Sequence, residues 1–145
     1  MMNSNLMYHE VFALFEKAEK RAEKINVLRT HADNNFREFL LAAFDKNIVF
    51  DVQVPQYKPS VDPAGLNMLY LHNEVPRMYL FIENHPRRPQ GYGGDKQSAK
   101  LASVLEALHA EEADLMVRCI QKDLKIPFLT PKLINEAFPG INLET

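Results

Sequence analysis

The chain has 145 residues, 46% of them hydrophobic, enough to bury a sizeable core and too few to call for two domains. With 17 basic and 19 acidic residues its net charge is −2, which argues against disorder and means that a nucleic-acid partner would have to meet a local basic patch. No apolar run approaches the roughly 18 residues that cross a bilayer, and "MMNSNLMYHEVF" lacks the basic and apolar regions of a signal peptide.

In chain order, Met7, Val11, Leu14, Phe15 and Ala18 recur at helical spacing and predict a first helix from Leu6 to Ala18, capped by Asn3, Ser4 or Asn5. A second turns Ala22, Ile25 and Leu28 inward and leaves "EKRAEK" as a solvated face. Asp33 can cap a third whose stripe is Phe36, Phe39, Leu40 and Ala43, ending near "DKN". "IVFDVQV" then alternates Ile48, Phe50, Val52 and Val54 inward, the period of an extended segment or small hairpin. Three prolines and a glycine make "PQYKPSVDPAG" a long ordered loop.

A fourth helix is expected from Pro76 to Asn84 with Met78, Phe81 and Ile82 buried, and a fifth from Ser98 to His109 on Leu101, Val104, Leu105 and Leu108. The sixth uses Ala113, Met116, Val117, Ile120 and Leu124, behind Glu111 and Glu112, whose charges suit a helix N-terminus. Cys119 falls inside that pattern and reads as a core residue of a protein in a reducing compartment. The seventh starts with Thr130 as N-cap and Pro131, buries Leu133, Ile134, Ala137 and Phe138, and stops at "PG". The expectation is all-α: a compact single-domain bundle of about six or seven short helices, with one extended segment and a long Pro-rich loop across about 48–96.

Charge is uneven: residues 1–50 balance, 51–100 carry +1 and 101–145 carry −3. Two places could still hold an anion. The N-terminal turn of the seventh helix would offer backbone N–H groups and Thr130, with Lys122, Lys125 and Lys132 nearby. The alternative is an ordinary helical hairpin with solvated lysines. Asp123, expected in the last helical turn where the dipole disfavours it, would accept N–H groups from a neighbouring helix and fix the turn at Pro127. The loop "HPRRPQGYGGDK" offers Arg87 and Arg88 to phosphate, Tyr92 for stacking and Lys96 as a further cation. A solvated connection, or contact with an acidic protein surface, would use the same residues.

Catalytic and metal signatures are missing. "GYGGDKQSAK" is no P-loop, the histidines are scattered singly, and His72, Glu74 and His85 could form a metal site only if loops brought them together. No cofactor is expected.

The stretch "LEALHAEEADLMVRCIQKDLKIPFLTPKLINEAFPGI" resembles the end of the helical N-terminal DNA-binding domain of ATP-dependent DNA ligases, especially the small phage type. There a helix ends in Asp-Leu-Arg/Lys before a glycine turn and a helix carrying Asn-Lys with an apolar "PGLI"-like close. "KINVLRTHADNNFREFLLAAFDKNIVFDV" resembles the opening of that domain, and the two matches lie in the right order. Pro127 stands in place of the ligase glycine, and Asn135-Glu136 in place of Asn-Lys. The Pro55–Asp95 insert resembles small tailed-phage proteins with a "PxYKP" loop. The adenylated Lys-x-Asp-Gly motif of a ligase does not occur. The resemblance therefore implies no enzyme but a stand-alone DNA-binding or replisome-associated module in the host cytoplasm. On this reading Lys122, Lys125, Thr130, Lys132, Arg87, Arg88, Tyr92 and Lys96 face the double-stranded DNA backbone. The alternative is a protein-interaction adaptor on the same scaffold, binding the sliding clamp or a host protein.

Overall fold

A computed structural model describes residues 6–145; the expected caps Asn3, Ser4 and Asn5 lie outside the described residues. Helix α1 (Tyr8–Lys17) starts at Met7, whose N–H donates to Glu10 at 2.8 Å, half of a capping box. It buries Tyr8, Val11, Phe12 and Phe15, so the inward face is rotated from the expected one: Phe12 replaces Leu14, which is 38% exposed. Helix α2 (Arg21–His31) turns Leu28 and, unexpectedly, Lys24 inward, while Ala22 is exposed. "EKRAEK" is thus no uniformly solvated face. The Lys24 ammonium donates to the Phe15 carbonyl at 2.9 Å and lies 4.9 Å from the Phe15 ring centre, which is how a buried cation stays satisfied.

Asp33 caps α3 (Asn34–Phe44) by accepting the Phe36 N–H at 2.8 Å, and Phe36, Phe39, Leu40 and Ala43 are all buried as expected. Tyr8 meets Phe36 edge-on at 5.1 Å and Phe39 at 5.3 Å, closing an aromatic cluster between α1 and α3. The next segment is extended, with Phe50, Val52 and Val54 against the core. Its pairing is one antiparallel bridge, Phe50 with Ile82, flanked by Asp51 N–H to the Phe81 carbonyl (3.0 Å) and Glu83 N–H to the Val49 carbonyl (2.7 Å). No sheet forms among the described residues because helical turns precede Ile82 and a tight turn, closed by the His85 N–H on the Ile82 carbonyl, follows it.

The expected fourth helix is instead α4 (Leu71–Glu74) running into a 3-10 segment, Val75–Phe81, with Pro76 in its first turn. Met78 and Phe81 are buried, while Ile82 leaves the helix to make the bridge. Helix α5 (Gly94–Ala107) begins four residues before the expected Ser98 and buries Leu101, Val104 and Leu105, with Leu108 just beyond its end. In α6 (Ala110–Ile120), Ala113, Met116, Cys119 and Ile120 face the core. Burial pushes the Cys119 thiol up to about 12, so it is a packing group rather than a nucleophile. Thr130 caps α7 (Pro131–Ala137) through the Leu133 N–H at 3.2 Å.

Glu112 does more than complement its own helix dipole. It is 1% exposed, and its carboxylate accepts the Tyr8 N–H at 3.2 Å and the Leu71 N–H at 3.0 Å. The N-termini of α1, α4 and α6 therefore converge on one anion, which satisfies donors that helix geometry leaves without intrahelical partners.

Candidate functional site

The turn after α6 is built around Lys122. Its N–H reaches the Cys119 carbonyl and the Asp123 N–H reaches the Arg118 carbonyl, both at 3.0 Å, the pair of bonds that closes a helix on a left-handed residue. Glycine usually takes that position; here Lys122 adopts φ +62°. Its ammonium explains why. It donates to the carbonyls of Ala42 (2.6 Å), Asp45 (2.8 Å) and Ile48 (2.7 Å), capping the negative end of α3 and pinning the extended segment. All three ammonium donors are used, and burial lowers the pKa from its ordinary value. Lys122 is thus not displayed to a phosphate.

Asp123 lies beyond the helix end, is exposed, and accepts the Lys125 N–H at 3.1 Å within its own turn, so the expected bond to a neighbouring helix is not made. Pro127 does fix the turn. The Leu129 N–H bonds the Ile126 carbonyl at 3.2 Å, with Phe128 at φ +69°, as in a type II turn with proline second. Thr130 and α7 leave little room for an anion: Pro131 has no N–H, and the Leu133 and Ile134 N–H groups are taken by the Thr130 hydroxyl and carbonyl. Lys125 and Lys132 remain exposed.

The two departures from the ligase pattern also have structural partners. The Asn135 side chain exchanges two bonds with the Leu143 backbone, at 2.8 and 2.7 Å. Glu136 takes a two-pronged pair from Arg21, at 2.7 and 3.1 Å, while Arg29 caps the end of α7 through the Glu136 and Ala137 carbonyls at 2.9 Å.

The second predicted patch is organised by Arg88 in the same inward manner. It bonds Asp51 at 2.6 Å, the Ile82 carbonyl at 3.1 Å and the Tyr92 carbonyl at 2.7 and 3.1 Å. A Cβ on Gly93 would come within 3.3 Å of the Arg88 guanidinium, so a side chain there would press on the group that ties the loop down. Arg87 is exposed over the Tyr79 ring at 4.7 Å, Tyr92 is half-buried and Lys96 is exposed. Since Lys122 holds Ile48 and Arg88 holds Asp51, the two predicted patches meet opposite ends of a three-residue step, roughly 10 Å.

Burial alone would raise the Asp51 carboxyl, but hydrogen bonds from Arg88 and Gln97 outweigh it and hold the carboxyl below its ordinary 3.8. A carboxylate depressed in the folded state stabilises the fold above its unfolded-state value and loses that contribution as pH falls through the folded one. Asp51→Asn is expected to flatten the acid limb of the stability curve below about pH 4, measured by urea unfolding across the acid range. An unchanged limb would show that the pair does not report on folding.

The imagined metal trio does not assemble. Glu74 is buried against Arg77 at 2.9 Å, His85 accepts the Arg87 N–H, and His72 is exposed beside the Tyr70 ring; among the described residues no group of His, Cys, Asp or Glu is placed to hold a metal ion. No described helix is long and apolar enough to cross a membrane.

Sequence reasoning missed the most exposed apolar feature. Val61, Leu66 and Met68 are 93%, 72% and 86% exposed, on a loop tied to the body by Lys58 N–H to Glu106 (2.9 Å) and Leu69 N–H to the Ala107 carbonyl (3.1 Å). Tyr70 hydroxyl to the Gly65 carbonyl (2.9 Å) braces it internally. Three large apolar groups in eight residues within "PxYKP…LYL" are visible in the sequence, but only the fold shows that none packs inward.

These features define an all-α protein whose conspicuous loops are tethered and whose inserted cations are structural. A family model described as a family of unknown function, DUF6433, matches residues 11–126, and the chain belongs to that family. No curated protein matches it.

Proposed function

We propose that the protein is a non-catalytic accessory module that docks onto a protein partner through the Val61–Met68 loop. The partner that the sequence resemblance to phage-type ligase domains suggests is the replication sliding clamp, in the host cytoplasm if the protein belongs to a phage. The supporting observation is the exposure of Val61, Leu66 and Met68 on a loop fixed at both ends. Clustered solvent-exposed apolar side chains mark interaction sites, and a pre-ordered loop lowers the entropy lost on docking. Purified clamp is expected to bind with a Kd of about 1–10 μM, and changing Val61, Leu66 and Met68 together to Ser to weaken binding at least ~10-fold without lowering the melting temperature. No binding by calorimetry would reject the clamp as partner.

A second reading, attachment to the double-stranded DNA backbone, is favoured by Arg87, Lys96, Lys125 and Lys132, none of which is in a salt bridge among the described residues. Four phosphate contacts would make affinity fall steeply with salt.

A further inference from the structure

A cleft of about 430 Å³ opens where α1 ends and α2 begins, with Phe128 and Leu133 forming its other wall. That volume suits a small ligand. Lys24 lines it and is only 7% exposed. Buried charges are usually paired, with their hydrogen-bonding groups filled. The other buried polar side chains among the described residues follow that rule: Glu74 pairs with Arg77, Glu112 accepts two N–H groups, and the Gln97 amide donates to Asp51 and the Leu80 carbonyl. Lys24 is filled on one side only. The Phe15 carbonyl takes one of its three N–H groups, and no carboxylate stands within ion-pair distance among the described residues.

The ammonium itself reaches the cleft wall. It lies 4.9 Å from the centre of the buried Phe15 ring and 5.3 Å from the centre of the Phe128 ring, which lines the cleft. Phe128 is 71% exposed and holds φ +69° at the turn position where glycine is usual, so a large aromatic ring is kept in the open at a backbone cost. An anion entering beside Phe128 would take the two remaining Lys24 N–H groups, and an apolar body attached to it would cover the ring and Leu133. Lys17 adds positive charge at the mouth, while Glu16 and Glu19, also there, favour a monoanion over a dianion such as a phosphate ester.

We propose that this cleft binds a small carboxylic acid, a single carboxylate on an aromatic body. The site is independent of the loop reading above, since no residue of the Val61–Met68 loop lines it.

The test is titration of the isotope-labelled full chain with hydrocinnamate, followed by amide chemical shifts, against hydrocinnamamide as its uncharged counterpart. Hydrocinnamate is expected to move the Arg21, Phe128 and Leu133 amides and to bind with a Kd below about 1 mM, and the amide compound to bind at least ~10-fold more weakly. Lys24→Met keeps the stem and removes the charge, and should cut affinity at least ~10-fold. Phe128→Gly suits the positive φ, so it should weaken binding about fivefold while the melting temperature holds or rises, a pairing that a purely structural Phe128 would not give. Should Lys24→Met fail to fold, the amide comparison and Phe128→Gly decide the matter. Unmoved cleft amides, equal affinity for the two compounds, or affinity unchanged by the substitutions would overturn the proposal.

Discussion

Replacing Glu112 with alanine is expected to cost roughly 3–5 kcal/mol, because it strands two buried N–H donors worth about 1–3 kcal/mol each and opens a cavity beside them. At the size of this protein that is a fall in melting temperature of roughly 10 °C, read by far-UV circular dichroism. Glu112→Gln keeps one acceptor oxygen but turns an NH₂ group toward the other donor, so about half the loss should remain. The effect is large because the Tyr8 and Leu71 N–H groups open two helices far apart in sequence, and one carboxylate registers both against α6. A melting temperature unchanged in the alanine variant would mean that the three helix starts are held by packing alone.

Lys122→Met is the second large effect. Methionine keeps much of the stem but leaves the Ala42, Asp45 and Ile48 carbonyls without their donor. The expected loss is roughly 2–4 kcal/mol, less than three charged hydrogen bonds added together because such contributions are not additive. Urea unfolding checks it; a midpoint within error of the parent would refute the structural role. Arginine is not expected to rescue it, since a planar fork cannot place its donors on three carbonyls around one point. The consequence reaches function: charge reversal at Lys122 would remove folding along with charge, so binding lost in such a variant would say nothing about phosphate. Lys125 and Lys132, exposed and with no salt bridge among the described residues, are the positions that isolate charge.

The helical faces of α3, α5, α6 and α7 were legible because apolar spacing and caps are local signals: Asp33 and Thr130 each bond within three residues. The extended segment was legible for the same reason, its period being two. The charged residues were not. Lys24, Arg88, Glu112 and Lys122 belong to types that stand on the surface unless paired, and each has a partner no local pattern announces: nine residues away for Lys24, 37 for Arg88, 80 for Lys122 and 104 for Glu112. Asp123 was expected to gather the N–H groups of a neighbouring helix and does not; Glu112, expected only to suit its own helix start, accepts those of two others. The first helix was misread by one step of the wheel, Phe12 for Leu14, since its sequence carries apolar residues on both sides of the stripe.

That the cations of the basic turn serve the fold and do not grip phosphate is tested most directly by binding of the full chain to a fluorescent nicked duplex at low and physiological salt. No shift is expected below tens of micromolar at either salt, with the Lys125→Glu, Lys132→Glu double variant identical to the parent. Tight binding that collapses with salt and disappears in the double variant, with its melting temperature retained, would contradict it and establish the backbone-phosphate reading instead.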